Sequence, residues 1–170
     1  HTDLAVLACD IDHFKVTNDT YGHAVGDLTL RVAVGRMQGA LRRYDILGRF
    51  GGDEFVALLP GCDATSAREL AERLRAAVAA EPVPSDRGPI STTVSVGVAA
   101  LSDVAERQLA EKGPDALLEA ADRALYVAKA EGRNRTALSP SRRKPVRRHD
   151  ANGASERKGS HAREHARFAS

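Results

Sequence analysis

Tryptophan is absent from this 170-residue chain, methionine occurs once, and aromatic residues make up only 4% of it. A core without large rings must be filled by Leu, Val and Ala, and the hydrophobic fraction of 42% is enough to fill one. There are only two cysteines, Cys9 and Cys62, which excludes a disulfide framework or a cysteine-rich zinc cluster. Cys9 ends the apolar run that starts at Leu4, where a buried free thiol suits a reducing compartment. No stretch approaches the ~20 apolar residues of a bilayer-spanning helix, and no basic-then-apolar signal segment opens the chain. The stretch therefore reads as soluble and cytoplasmic, with any membrane anchor left to regions outside it.

Charge is unevenly spread. Residues 139–170 hold nine Lys/Arg against three Asp/Glu, whereas residues 1–138 hold sixteen against twenty. The net charge of +2 thus hides an acidic body with a basic tail, and it does not mark a specific nucleic-acid surface on the body. The tail, from Ser139-Pro140-Ser141-Arg142-Arg143-Lys144-Pro145 onward, has almost no large apolar residues. It cannot bury enough surface to offset its ordering entropy and is expected to be disordered. It is read as a solvated tail; the alternative is electrostatic attachment to an anionic lipid surface or RNA.

The remaining 138 residues alternate between two periodicities. Leu4–Cys9 is an apolar run of strand length, stopped by Asp10. Ala24 to Leu41 places apolar residues at helical spacing with charges between them. Asp45–Phe50 and Phe55–Leu59 are short strands around Gly51-Gly52-Asp53-Glu54, a hairpin pattern. Thr65 to Ala80 is Ala/Leu/Arg-rich and helical until Pro82 and Pro84. Thr92–Leu101 alternates as a strand with one buried face. Pro114 starts a helix over Asp115–Glu131 that Gly132 ends, and Arg135–Leu138 is a last short strand. Ser102–Gly113 carries no informative pattern. The order predicts an α+β fold: a ferredoxin-like βαββαβ sandwich with an antiparallel central sheet, plus a C-terminal helix and strand.

Two groups of residues carry chemistry. Asp10-Ile11-Asp12-His13-Phe14-Lys15 lies where a buried strand runs out, a place where a carboxylate can hold a hard cation. Gly51-Gly52-Asp53-Glu54 puts two acids in a turn, where they repel unless a cation stands between them. Strands 1 and 3 are neighbours in a ferredoxin-like sheet, which would bring Asp10 and Asp53/Glu54 to one edge. Each piece alone has a plainer reading: Asp10 as a helix N-cap, the Gly-Gly-Asp-Glu turn as an ordinary hairpin, Arg42 and Asp45 as a surface charge pair. Lys129 and Arg133 could be solvated residues near a helix C-terminus, and Leu125 and Tyr126 core residues. His13 and His23 have no third soft ligand nearby, which argues against zinc.

Taken together, these segments resemble a known family. Arg49-Phe50-Gly51-Gly52-Asp53-Glu54-Phe55 is similar to the signature of GGDEF-type diguanylate cyclases. So are Asp10 to Lys15 with Asn18-Asp19, Tyr21-Gly22-His23 and Gly26-Asp27, and Ala121-Asp122 to Lys129 followed by Gly132-Arg133-Asn134. The matches run in order through residues 4–138. The resemblance implies a nucleotidyl-cyclase or palm-type fold that condenses two GTP into cyclic di-GMP, with release of pyrophosphate, across a homodimer. Two Mg²⁺ (or Mn²⁺) ions would be held by Asp10, the Ile11 carbonyl, Asp53 and Glu54, with Asp53 or Glu54 taking the ribose 3′-hydroxyl proton. Asn18 and Asp27 would read guanine. Lys129 and Arg133, four apart and so on one helix face, would contact phosphates, as would the Phe14 and Lys15 amides opening a short helix. Arg42 and Asp45 match the family's Arg-x-x-Asp product-inhibition motif, with Arg73 as a partner. The family's usual Asp-x-Leu-Thr-Gly-Leu-x-Asn-Arg-Arg segment does not precede His1, so residues 1–138 read as an N-terminally truncated catalytic domain. The alternative is a silent module that binds GTP or cyclic di-GMP; retention of Asp10, Asp53 and Glu54 favours the enzyme. A related cyclase or palm domain acting on another nucleotide is a third reading, which an ATP control would separate.

Overall fold

A computed structural model describes residues 3–140. The elements are β1 (Leu4–Ile11), α1 (Phe14–Tyr21), α2 (His23–Ala40), β2 (Ile46–Gly51), β3 (Glu54–Pro60) and α3 (Ala64–Ala79). They continue with β4 (Val94–Ala100), α4 (Glu106–Lys112), α5 (Asp115–Ala130) and β5 (Thr136–Leu138). The tail expected to be disordered lies outside the described residues except at its start, where the Ser139 amide donates to the Val98 carbonyl at 2.7 Å.

The strands form one sheet in the order β2-β3-β1-β4-β5. β1 lies between β3 and β4 and pairs antiparallel with both, as a ferredoxin-like arrangement requires. The sheet is mixed rather than antiparallel throughout, because β5 pairs parallel to β4. The reason is the crossover: α5 carries the chain over the sheet face before β5 is laid down.

Both faces are covered. On one, Leu7, Cys9 and Ile11 of β1 pack with Met37 of α2 and Leu70, Leu74 and Val78 of α3. On the other, Val6 and Ala8 meet Ala116, Leu117, Ala120, Ala121 and Leu125 of α5. Alternate residues of β1 thus feed two cores. β4 is buried at all seven positions, not on one face as its alternation suggested, because α3 covers one side and α5 the other. Gly97 makes that closeness feasible: a Cβ there would stand 2.1 Å from the Ala121 carbonyl oxygen and 2.2 Å from the Leu125 nitrogen. The patternless stretch after Leu101 forms a single 3-10 turn and the short, exposed α4.

Candidate active site

β1 does not stop at Asp10 but runs through it to Ile11, so the carboxylate belongs to the sheet and is no helix cap. Asp10 is paired across the sheet with Glu54 on β3 and with Ser95 on β4. Directly opposed residues hold their Cβ atoms about 4.5–5.5 Å apart, so the Asp10 and Glu54 side chains rise together from one face. Asp53 sits at the tip of the β2–β3 hairpin, and its carbonyl accepts the Ile11 amide at 3.2 Å. The tip is fastened by Arg49, whose guanidinium donates to the Gly52 carbonyl at 3.0 and 2.6 Å.

Only 8% of Asp10 is exposed, and its Oδ2 lies 2.6 Å from Nζ of Lys129 on α5. Burial raises the Asp10 carboxyl above its ordinary value, and the charges of Asp53 and Glu54 push the same way against the opposing pull of Lys129. The edge therefore carries more negative charge than its one ammonium balances. Among the described residues no three His, Cys, Asp or Glu side chains stand ready-grouped as a metal cage. An all-oxygen set in which the buried Asp10 meets the half-buried Asp53 and the exposed Glu54 nevertheless fits Mg²⁺, which takes few protein ligands and completes its shell with water and phosphate oxygens.

Beside Lys129 a cleft of about 300 Å³ opens between β3 and α5, lined by Phe50, Glu54, Val56, Asp122, Leu125, Tyr126 and Lys129. Asp122 is raised from its usual value by burial first, then by Glu54 and Glu119. The sequence reading gave it no role, although Asp122, Tyr126 and Lys129 fall at the 0, 4 and 7 spacing of one helix face. Tyr126, expected in the core, is 74% exposed, whereas Leu125 is buried. One residue's rotation along α5 separates the core face from the cleft face.

Asn18 lies on α1 and Asp27 on α2, the two helices that follow β1. His13, at φ 57°, turns the chain after β1 so that α1 starts at Phe14. The first-turn amides of Phe14 and Lys15 consequently have no partner within the helix. Gly26 receives Asn18: a Cβ there would lie 1.7 Å from Asn18 Oδ1. Asp27, the next residue, is exposed. One turn along α2, Leu30, Arg31 and Val34 line a cleft of about 420 Å³ closed by Leu47, Arg49 and Phe55.

Lys129 and Arg133 do not share a helix face. α5 ends at Ala130, Gly132 adopts φ 115°, and Arg133 and Asn134 follow at φ 61° and 45°. The Arg133 amide bonds back to the Ala128 carbonyl at 3.0 Å, so Arg133 sits on the corner beyond the helix. Asp12 is also engaged: its carboxylate accepts from Ser95 Oγ at 2.6 Å, Thr93 Oγ1 at 2.7 Å and the Asn134 amide at 3.0 Å. It is 6% exposed and not offered to a cation.

Arg42 and Asp45 are no side-chain charge pair either. Asp45 Oδ2 accepts the Arg42 amide at 2.7 Å, and the Arg42 guanidinium lies 3.2 Å from the Tyr44 hydroxyl. Arg73 of α3 donates to the Ala40 carbonyl at 3.0 and 2.6 Å, two residues before Arg42. The other Asp45 oxygen, Oδ1, is the one buried side-chain polar atom among the described residues that lacks a hydrogen-bond partner.

Comparison with known proteins bears on this geometry. Residues 1–135 match the model of the family described as diguanylate cyclase, GGDEF domain. The chain is 44% identical to the diguanylate cyclase DgcP of Pseudomonas aeruginosa over 133 residues, 78% of this chain and 19% of that protein. It is 38% identical to diguanylate cyclase A of Treponema denticola over 136 residues, 80% of this chain and 35% of that protein. The chain therefore spans well under half of these relatives. Among solved structures, the GGDEF domain of YfiN (TpbB) from Pseudomonas aeruginosa superposes with a TM-score of 0.73 at 37% identity, covering 81% of this chain and 83% of that one. The GGDEF domain of DgcB from Caulobacter crescentus, solved in complex with c-di-GMP, gives 0.72 at 29% identity over 81% and 78%. No helix among the described residues is long and apolar enough to cross a membrane. With the signature hairpin seated against Asp10 and the matches extending along nearly the whole described body, the chain belongs to the GGDEF family of diguanylate cyclase domains.

Proposed function

We propose that the domain condenses two molecules of GTP into cyclic di-GMP and releases pyrophosphate, acting as a homodimer. The observation that carries this reading is the meeting of Asp10 and Glu54, 44 residues apart in sequence, as cross-strand partners beside Lys129. On this reading the acids would hold metal, Lys129 would meet phosphate, and Asn18 and Asp27 would read the base.

Asp10, the Ile11 carbonyl, Asp53 and Glu54 would hold two Mg²⁺ ions. When bound, such ions supply positive charge to the attacking and leaving oxygens of phosphoryl transfer. The chain's own residues supply the rest. Asp27 accepts from guanine N1–H and the exocyclic amine while Asn18 pairs on the same base, a donor pattern that adenine lacks. The Phe14 and Lys15 amides, Lys129 and Arg133 orient the triphosphate. Asp53 or Glu54 accepts the proton of the 3′-hydroxyl. That oxygen then bonds to the α-phosphorus of the second GTP, and the bond to the bridging α–β oxygen breaks as pyrophosphate leaves. Repetition in the opposite sense closes the ring. Each domain holds one GTP, so two must face each other.

Arg42, Asp45 and Arg73 would bind the product. The Arg42 guanidinium supports this, since it lies at the surface beside the Tyr44 hydroxyl and can turn to a guanine or a phosphate.

Incubating the domain with GTP and Mg²⁺ and weighing the product tests the reading. Cyclic di-GMP should form with a rate rising faster than linearly in protein, Asp53→Asn should abolish it, and ATP should be left intact. Unchanged GTP at high protein concentration, also in a chain extended upstream, would refute catalysis.

A further inference from the structure

The second acid of the Asp10-Ile11-Asp12 triplet has a different task from the first. Asp12 is almost fully buried, and both of its oxygens accept hydrogen bonds from groups distant in sequence: Ser95 Oγ at 2.6 Å, Thr93 Oγ1 at 2.7 Å and the Asn134 amide at 3.0 Å. Its own amide donates to the Thr93 carbonyl at 2.9 Å. Three donors on one carboxylate with almost no exposure form a fixed anchor, not a spare ligand.

What it anchors is unusual. Gly132, Arg133 and Asn134 all have positive φ, and two of the three are not glycine. Side chains resist that region, and a run of such residues persists only where its surroundings over-determine it. Asn134 is gripped twice: Asp12 holds its amide, and Arg75 of α3 donates to its side-chain oxygen at 2.7 Å. Arg75 is itself paired with Glu72 at hydrogen-bond distance. The corner is thus tied to the end of β1 on one side and to α3 on the other. It carries Arg133 and follows directly on the turn bearing Lys129.

We infer that Asp12, seconded by Arg75, is a positioning residue that fixes the Arg133–Asn134 corner and so aims Lys129 and Arg133 at the triphosphate. The inference rests on the reading of Lys129 and Arg133 as the phosphate grip, and it extends that reading by assigning the groups that hold the grip in place. With both oxygens engaged by protein donors, Asp12 is left no part in holding metal or nucleotide directly. Its removal should therefore cost affinity for phosphate and spare affinity for the base, which is read from α1 and α2.

The test measures binding of 3′-deoxy-GTP, which cannot attack a second nucleotide, and of guanosine, which has no phosphate. Calorimetry on the full chain with Mg²⁺ present reads both affinities. Asp12→Ala should weaken 3′-deoxy-GTP at least tenfold and leave guanosine within about twofold. Asp12→Asn keeps an acceptor for the Asn134 amide and should restore most of the loss. Arg75→Ala trims a half-buried side chain outside the apolar core, provides a second variant should Asp12→Ala fail to fold, and should give a smaller loss of the same selective kind. Equal weakening of both ligands, or no weakening of either, in the folded variants would overturn the inference. Lys129→Ala and Arg133→Ala run alongside: if they too leave 3′-deoxy-GTP binding unchanged, the phosphate grip itself is wrong and the inference falls with it. A selective loss in those two but not in Asp12→Ala or Arg75→Ala sinks only the positioning role.

Discussion

The ammonium of Lys129 stands 2.6 Å from Oδ2 of Asp10, joining the last turn of α5 to the central strand of the sheet. In this arrangement Lys129 serves as the counter-charge of a buried carboxylate that also faces Asp53 and Glu54. Lys129→Met should destabilise the metal-free domain by about 1–3 kcal/mol at neutral pH, the typical cost of a buried polar group left without its partner. The sign of the pH dependence follows from Asp10, whose folded-state value is already above the unfolded one. Without Lys129 it must rise further. Such a raised acid favours the folded state while protonated and loses that contribution as pH rises through its folded value. The gap between variant and parent in urea unfolding should therefore be full at neutral pH and close in acid. Added Mg²⁺ should narrow it at neutral pH by replacing the missing charge. A gap that is constant with pH would show that Lys129 contributes packing rather than charge.

Gly26→Ala should disable guanine recognition while sparing the fold. The new methyl would meet Asn18 Oδ1 at 1.7 Å, a clash with a side-chain end that can rotate away. Asn18 would then be displaced from α2, and its contact with the base lost. The expected result is a rise in KM for GTP of about tenfold, the equivalent of one hydrogen bond near 1.4 kcal/mol, with a melting temperature close to the parent's. Unchanged KM would mean that Asn18 does not read the base.

Most of this fold was legible because its signals are periodic. The apolar run at Leu4–Cys9, the helical spacing across α2 and the glycine turn at Gly51-Gly52 each report a local preference that the tertiary structure keeps. The neighbouring of β1 and β3 followed from topology, and with it the meeting of Asp10 and Glu54. What escaped were features set by long-range closure. The parallel pairing of β5 depends on how α5 crosses the sheet. The burial of both faces of β4 depends on two helices arriving from different parts of the chain. The exposure of Tyr126 depends on the exact rotation of α5. The engagement of Asp12 could not be read from its neighbours, since its partners lie 81 to 122 residues away. The helix stop was half visible: Gly132 marks it, but the spacing of Lys129 and Arg133 suggested a helix face that the left-handed corner removes.

Gly97→Ala tests whether α5 must lie this close to the sheet. The added Cβ would fall 2.1 and 2.2 Å from backbone atoms of Ala121 and Leu125, which cannot rotate aside as a side chain can. The helix must shift bodily, and overpacking of this kind costs about 1–3 kcal/mol. Because Lys129 rides on the same helix, GTP turnover should fall along with the urea midpoint. A fully stable variant would show that β4 and α5 have slack between them.

Product control offers the last prediction, and its geometry separates two roles within one motif. Asp45 holds the turn through the Arg42 amide at 2.7 Å, so its loss would disturb the local backbone as well as any ligand. The Arg42 guanidinium makes no such structural bond; among the described residues its side-chain contact is with Tyr44, 3.2 Å from the hydroxyl and 6.0 Å from the ring centre, on an exposed surface. Arg42→Ala should therefore leave the fold and the initial rate of GTP consumption intact while relieving inhibition by added cyclic di-GMP tenfold or more. A bidentate guanidinium contact to phosphate or base is worth roughly that factor or above. Initial rates measured across a series of cyclic di-GMP concentrations give the comparison directly. Inhibition curves that superimpose for parent and variant would remove Arg42 from the product site, leaving Asp45 as a residue of the turn alone.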